Sequence, residues 1–298
     1  MDILKITDLY KSFGDKEVLR GLELTIPEHS IFGFVGKNGS GKTTTMKIIL
    51  GLLGADRGEV YVCGEKVRYG QTDTNKYIGY LPDVPEFYPY MSALEYLRFC
   101  GQISGVRGEE CEARCKRLLS LVGLAEHKGR IGGFSRGMKQ RLGIAQALLN
   151  KPKLLICDEP TSALDPLGRK EILDILSSIR EETTVLFSTH VLSDVERICT
   201  DVAILDGGVI SFQGKISDIK AKHRTEEYCL VAEREAETLA ILTAFPKMSK
   251  SGDGLTFCEA DYPICEVLRF IADEKIALEK LLRVEPTLES LFLEVVGS

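Results

Sequence analysis

The sequence predicts an α/β protein: a mostly parallel sheet, an antiparallel β subdomain at the N-terminus, an inserted helical subdomain, and a small C-terminal α+β module. Three observations carry this. Short apolar runs at Ile31–Val35, Lys153–Cys157 and Thr184–Ser188 alternate with helix-like stretches, the pattern of parallel strands buried on both faces. From Ser92 to Leu149 three helical patterns follow one another with no strand between them, which marks an insertion into the α/β core. Near Gly214 the character changes and the alternation restarts over fewer than ~80 residues, a length that buries only a modest core.

In chain order, 2–7 and 17–26 read as two strands joined by a turn at Phe13-Gly14-Asp15. Pro27-Glu28 turns the chain into the strand Ile31–Val35, and an apolar helix covers Met46–Leu50. Glu59–Val62 and Ile78–Leu81 are strands, and Pro82 and Pro85 confine the next segment to a loop. Ser92 can cap a helix carrying Leu94, Leu97 and Cys100 on one side. Glu109–Val122 is the second helix, Gly129–Gly137 a glycine-rich joint, and Met138–Leu149 the third helix. Lys153–Cys157 is a buried strand, and Asp165-Pro166 opens a helix with a cap and a first-turn proline. Thr184–Ser188, Val202–Leu205 and Val209–Phe212 are further strands, and 215–224 is a basic helical connector. The tail reads strand 226–232, helix 235–244, strand 255–259, helix 264–271, strand 277–284 and helix 288–296. The expected division is 1–220, with the helical insertion at about 83–150, and 221–298.

The strand Ile31–Val35 runs into Gly36-Lys37-Asn38-Gly39-Ser40-Gly41-Lys42-Thr43-Thr44 and then into the helix, the order of a P-loop, so the α/β core is read as that of a P-loop NTPase. The glycines let successive N–H groups turn inward around phosphate oxygens, and the helix start adds its positive dipole end. Lys42 is placed to reach the β- and γ-phosphates and the Thr43 hydroxyl to bind Mg²⁺.

Asp158 and Glu159 follow an apolar strand, at the sheet edge where such proteins hold ligands. Asp158 can hold Mg²⁺, through water, and Glu159 can then polarise an attacking water. His190 ends the next strand and can reach the γ-phosphate from the side. A second anion site is expected where Ser135 and Gly137 sit at a helix N-terminus. It lies far from the P-loop in sequence, so two molecules arranged head to tail would complete each other's phosphate sites.

GKNGSGKT, FSRGM, LLICDEP, SALD and STH, in this order, resemble the ATP-binding cassette of ABC transporters over about residues 1–220. The resemblance implies an ATPase that binds ATP and Mg²⁺, works as a homodimer, and powers a separate multi-span membrane permease from the cytoplasmic face. It implies that Ser135 and Gly137 contact the γ-phosphate held by the opposite protomer, and that Ser162–Asp165 crosses the dimer interface. It implies that Phe13 stacks on adenine, a core Phe of the first sheet being the competing reading, and that Asp83–Tyr96 faces the permease. Two positions depart from the family pattern. Its LSGGQ is here Phe134-Ser135-Arg136-Gly137-Met138, and its usual Gln, a Mg²⁺ ligand and sensor of the membrane partner, is Asp83. Both departures, and the ending Val284–Phe292, look similar to cassettes of exporters whose membrane subunit is a separate chain. The alternative is a soluble ABC ATPase acting on nucleic acid or ribosomes.

Composition is consistent with this. The 298 residues exceed one small core, and 44% hydrophobic with 28% charged residues is a globular balance. Net charge is 38 − 44 = −6, so no nucleic-acid partner is expected. No apolar run approaches the ~20 residues of a membrane span, and the N-terminus has no signal-peptide layout. The nine cysteines include no CxxC; Cys111 and Cys115 share a helix face with no metal-binding company, the pattern of reduced cytosolic thiols.

Overall fold

A computed structural model describes residues 2–222, 226–252, 254–284 and 288–289. The chain divides into two compact units, Met1–Ser217 and Asp218–Leu291.

The first unit opens with the hairpin β1 (Asp2–Phe13) and β2 (Lys16–Pro27), both longer than the sequence pattern suggested. Register shifts near Thr7 to Tyr10 break the alternation that marks a strand, which is why the pattern stops early. β3 (Ile31–Val35) is buried throughout and leads into α1 (Lys42–Ile49). β4 (Arg57–Val62) and the two-residue β5 (Glu65–Lys66) join the hairpin in an antiparallel sheet of order β2-β1-β4-β5. β6 (Ile78–Leu81) precedes the helices α2 (Ala93–Ile103), α3 (Gly108–Leu121) and α4 (Arg136–Ala147). Ser92 caps α2 as expected: its Oγ accepts from Glu95 N–H while Glu95 accepts from Ser92 N–H, the reciprocal capping box.

α4 begins two residues before the expected Met138. Ser135 is its N-cap and accepts from Met138 N–H at 3.2 Å, so the serine ends the glycine joint. β7 (Leu154–Asp158), α5 (Pro166–Ser178), β8 (Thr184–Thr189) and α6 (Leu192–Ile198) follow, then β9 (Asp201–Asp206), β10 (Val209–Lys215) and α7 (Ile216–Lys222). α6 was not anticipated; its seven residues are too few for a helical period to stand out. The second sheet has order β10-β9-β3-β8-β7-β6, parallel except for the β9–β10 hairpin. α1 is buried among residues of both sheets, with Met46 and Ile49 in one core beside Leu22, Val62, Phe34 and Ile156.

In the second unit β11 (Glu227–Ala232), α8 (Glu235–Ala244), β12 (Ser249–Ser251), β13 (Gly254–Cys258), α9 (Ile264–Asp273) and β14 (Leu278–Arg283) form an antiparallel sheet of order β12-β13-β11-β14 with two helices. It has its own core of Leu230, Ile241, Phe245, Leu255, Phe257 and Val267. The helix expected over 288–296 lies almost wholly outside the described residues.

Candidate functional site

Three strands of the parallel sheet end together. Val35 of β3 pairs with Thr189 of β8, and Asp158 of β7 pairs with Ser188 of β8. The loops leaving β3, β7 and β8 therefore meet at one carboxyl edge, where open α/β sheets hold ligands. A cleft of about 410 Å³ opens there, within the range of small-molecule sites.

The loop after β3 curls because two glycines hold left-handed angles, φ 81° at Gly39 and 113° at Gly41, the N-cap of α1. A Cβ on Gly41 would lie 2.7 Å from Leu19 Cδ2 and 3.2 Å from Val18 O, at a φ that strains any residue with a side chain. Lys42 is buried, and its Nζ donates to the carbonyls of Gly36 at 2.6 Å and Lys37 at 3.3 Å, drawing the loop around the ammonium. Thr43 Oγ1 donates to Asp158 Oδ2 at 2.9 Å, and Ser188 Oγ donates to Asp158 Oδ1 at 2.7 Å. Burial and the nearby Asp158 charge push the Tyr80 phenol on β6 up to about 12.

Glu159 sits in the left-handed region at φ 47°, which a side chain adopts only at a cost of about 1–2 kcal/mol. Its N–H holds that turn by donating to Ser188 O at 3.2 Å and Ser188 Oγ at 3.0 Å. The carboxylate is thereby aimed two ways. Oε2 lies 2.9 Å from His190 Nδ1, and Oε1 lies 3.3 Å from Lys42 Nζ, an ion-pair contact without hydrogen-bond geometry. Oε1 is buried and accepts no hydrogen bond.

Of the residues expected at the site, Asn38, Gly39, Gly41, Lys42, Thr43, Thr44, Asp83, Asp158 and Glu159 line the one cleft. Gly36 and Lys37 shape it through their carbonyls on Lys42, and His190 joins it through Glu159. Ser40 Oγ is buried with no hydrogen-bond partner. Phe13 ends β1 and is half exposed, so it is no core residue of the first sheet. It pairs across the hairpin with Lys16, which together with Val18 lines the cleft. Neither Lys16 nor Val18 was anticipated: a strand pattern says nothing about which strand end will face a distant loop.

Asp83 reaches the cleft, but its Oδ1 accepts from Arg136 Nη2 at 3.1 Å, and its carbonyl accepts from Gln140 Nε2 at 2.5 Å. The two positions that depart from the family pattern are therefore ion partners in the fold. Ser135 and Gly137 stand on the first turn of α4 around Arg136, and they are not among the lining residues of the cleft.

The donor set suits Mg²⁺. Thr43 and Asp158 offer a hydroxyl and a carboxylate 2.9 Å apart, the hard oxygen ligands that a cation arriving with phosphate and water needs. Among the described residues no three His, Cys, Asp or Glu gather into a metal cage, and the Cys111 and Cys115 thiols are free, 3.9 Å apart. Among those residues no helix is long and apolar enough to cross a membrane.

The family profile described as ABC transporter matches residues 19–162, a span containing the P-loop, Ser135 and Glu159. The ABC transporter ATP-binding protein YxlF of Bacillus subtilis is 44% identical over 79% of this chain and 78% of its own length. The linearmycin resistance ATP-binding protein LnrL of the same organism is 31% identical over 99% and 98%. A solved ATP-binding subunit of an ABC transporter superposes with a TM-score of 0.66 at 31% identity, over 74% of this chain and 92% of that one. A glycine loop on Lys42, a Thr43–Asp158 pair and a Glu159–His190 pair on such a sheet, with kinship at this level, leave one conclusion: the chain belongs to the ATP-binding subunits of ABC transporters, a family that hydrolyses ATP and works with a separate transmembrane component.

Proposed function

We propose that this chain binds MgATP in the cleft, hydrolyses it as a homodimer, and drives a separate multi-span permease in the direction of export. The observation that carries the reading is Glu159 Oε1: a buried carboxylate oxygen, accepting no hydrogen bond, beside the Lys42 ammonium in the cleft that the glycine loop lines. Such an oxygen can take a proton from water. Lys42 and the loop amides of 36–44 stabilise phosphate charge. Thr43 and Asp158 would hold Mg²⁺, which when bound neutralises charge on the phosphates. His190 keeps Glu159 aimed through Nδ1 and would meet the γ-phosphate with its other edge. Phe13, exposed at the hairpin end beside Lys16, is the adenine platform.

Ser135 and Gly137 would contact the γ-phosphate of the opposite protomer. Gly137 supports this. Among the described residues a Cβ there would meet nothing closer than 3.9 Å, and its φ is not positive, so neither packing nor backbone conformation within them calls for glycine. The open space at Gly137 leaves room for a group from outside the chain, as the shared-site reading requires. The permease would seat on the segment around Val84, Tyr88 and Tyr90, whose side chains are exposed. Asp83 would serve as a metal ligand through Oδ2, or after leaving Arg136, which holds Oδ1. On this reading 1–220 is the cassette, 221–298 an accessory domain, and the protein lies on the cytoplasmic face of the membrane through its permease. The export direction is supported by the resistance named for LnrL.

The test is reconstitution of the chain with its membrane partner in proteoliposomes, with MgATP added on the cassette side. Solute accumulating on the opposite side is expected; ATP-independent movement, or accumulation on the cassette side, refutes export.

A further inference from the structure

Asp194 is a carboxylate with 3% exposure that the proposed chemistry leaves unused. It stands on α6, four residues after His190, and it gathers three segments. Thr161 Oγ1 donates to Oδ2 at 2.8 Å from the loop that leaves Glu159. Arg169 Nε, on α5, donates to Oδ1 at 2.7 Å and to Oδ2 at 2.9 Å. Arg169 Nη2 is buried with no hydrogen-bond partner, so this guanidinium depends on Asp194. Thr161 is itself buried, at 5% exposure. The loop between Glu159 and α5 carries two left-handed non-glycine residues, Glu159 at φ 47° and Ala163 at φ 51°. Conformations of that kind persist only where surrounding bonds over-determine them. Ser188 fixes the loop at Glu159 N–H; two residues on, it is fixed by Asp194.

We propose that Asp194 is a positioning residue: through Thr161 it locks the loop behind Glu159 to the helix behind His190, and so holds the 2.9 Å contact between that carboxylate and that imidazole. The inference rests on the reading of Glu159 as the base and His190 as its partner. The phosphate loop is not part of the knot, so loosening it reduces turnover and leaves nucleotide affinity in place. Displacing a reacting group by an ångström can cost about 100-fold, and a partial loosening about tenfold.

Thr161 gives the cleaner test, because Asp194→Asn would also leave the Arg169 charge unmatched and could unfold the chain. Thr161→Val keeps the shape, removes the hydroxyl and leaves Arg169 on Asp194; Thr161→Ser restores the hydroxyl. Expected are a fall in kcat of about tenfold for Thr161→Val with KM for ATP within about twofold, and a kcat within about twofold of the parent for Thr161→Ser. A second readout needs no turnover. In ¹H–¹⁵N spectra of the nucleotide-free chain, the His190 ring signals of Thr161→Val move toward those of Glu159→Ala, which has no side chain to meet the imidazole, while Thr161→Ser keeps the parental positions. With only four histidines, the ring signals are assignable by substitution. Parental kcat in Thr161→Val, or an unmoved His190 ring whatever kcat does, overturns the proposal. So does a Thr161→Ser variant as impaired as Thr161→Val, since packing and not the hydroxyl would then matter. If Glu159→Gln itself keeps full turnover, the base assignment fails separately, and the ring signals alone decide whether Asp194 holds the pair.

Discussion

Glu159→Gln isolates proton acceptance from geometry. The carboxylate has two different neighbours, His190 Nδ1 at 2.9 Å from Oε2 and Lys42 Nζ at 3.3 Å from Oε1. A glutamine of the same shape can satisfy both in one orientation only. Its carbonyl must face the Lys42 ammonium, because an NH₂ there would set donor against donor; its NH₂ then donates to His190 Nδ1, which fixes that imidazole with its proton on Nε2. The pair, the loop and the Thr43–Asp158 contact survive, so ATP affinity is expected to stay within about threefold of the parent. What is lost is an oxygen basic enough to take a proton from water. A positioned general base is worth about 10²–10⁴ in rate, so at 1.36 kcal/mol per decade the barrier rises by about 2.7–5.4 kcal/mol. Phosphate release under saturating MgATP measures the rate, fluorescent-nucleotide titration the affinity, and gel filtration with ATP the dimer, which is expected to accumulate when hydrolysis cannot dissolve it. Turnover within tenfold of the parent would refute the assignment; so would loss of ATP binding, since the substitution would then have disturbed the loop and not the chemistry.

Asp83→Ala is expected to keep ATP binding, to lower Mg²⁺-dependent turnover and to blunt stimulation by the permease, with Asp83→Gln recovering part of the rate; identical Mg²⁺ curves for all three proteins would remove Asp83 from the metal site. The Asp83–Arg136 pair is about half exposed and worth no more than about 1 kcal/mol, so urea midpoints of these variants should barely move. Ser135→Ala removes the α4 cap, an expected loss of about 1 kcal/mol by denaturant melt, while monomer ATP binding persists. Mixed with Lys42→Ala protomers it should regain activity above either variant alone, since one composite site then carries neither defect; no recovery after demonstrated subunit exchange would refute shared sites. A chain ending at about residue 220 should bind ATP, measured by nucleotide titration, because the phosphate-binding segments all lie upstream. Glu112 is held down to about 2 by Arg98 and then by Lys116. Its contribution to stability is therefore present above the ordinary carboxylate pKa of 4.5 and lost as pH falls toward 2, and a carboxyl NMR titration against Arg98→Ala should show the midpoint rising.

The sequence by itself determined the elements whose signals are local. The β3 run, the glycines at 39 and 41, and Lys42-Thr43 specify a phosphate loop, because left-handed glycines and a helix start are written in consecutive residues. Asp158 and Glu159 were legible from the apolar run before them, Ser92 as a cap from its place before a helical pattern, and the α/β class from the alternation of buried runs and helices. Only the tertiary structure decided which of these groups touch. Ser188 is one more polar residue at the end of a strand until β7 and β8 pair and put its hydroxyl on Asp158 and under Glu159. Arg136 and Asp83 are 53 residues apart and no spacing links them, yet α4 brings the guanidinium onto the carboxylate. Lys16 reaches the cleft because β2 begins beside the phosphate loop, and Asp194 becomes a knot because α5, α6 and the loop after Glu159 converge on it. Backbone conformation is set within a few residues, so it can be read along the chain; long-range hydrogen bonds depend on how sheets and helices stack, and neither partner carries a mark of the other.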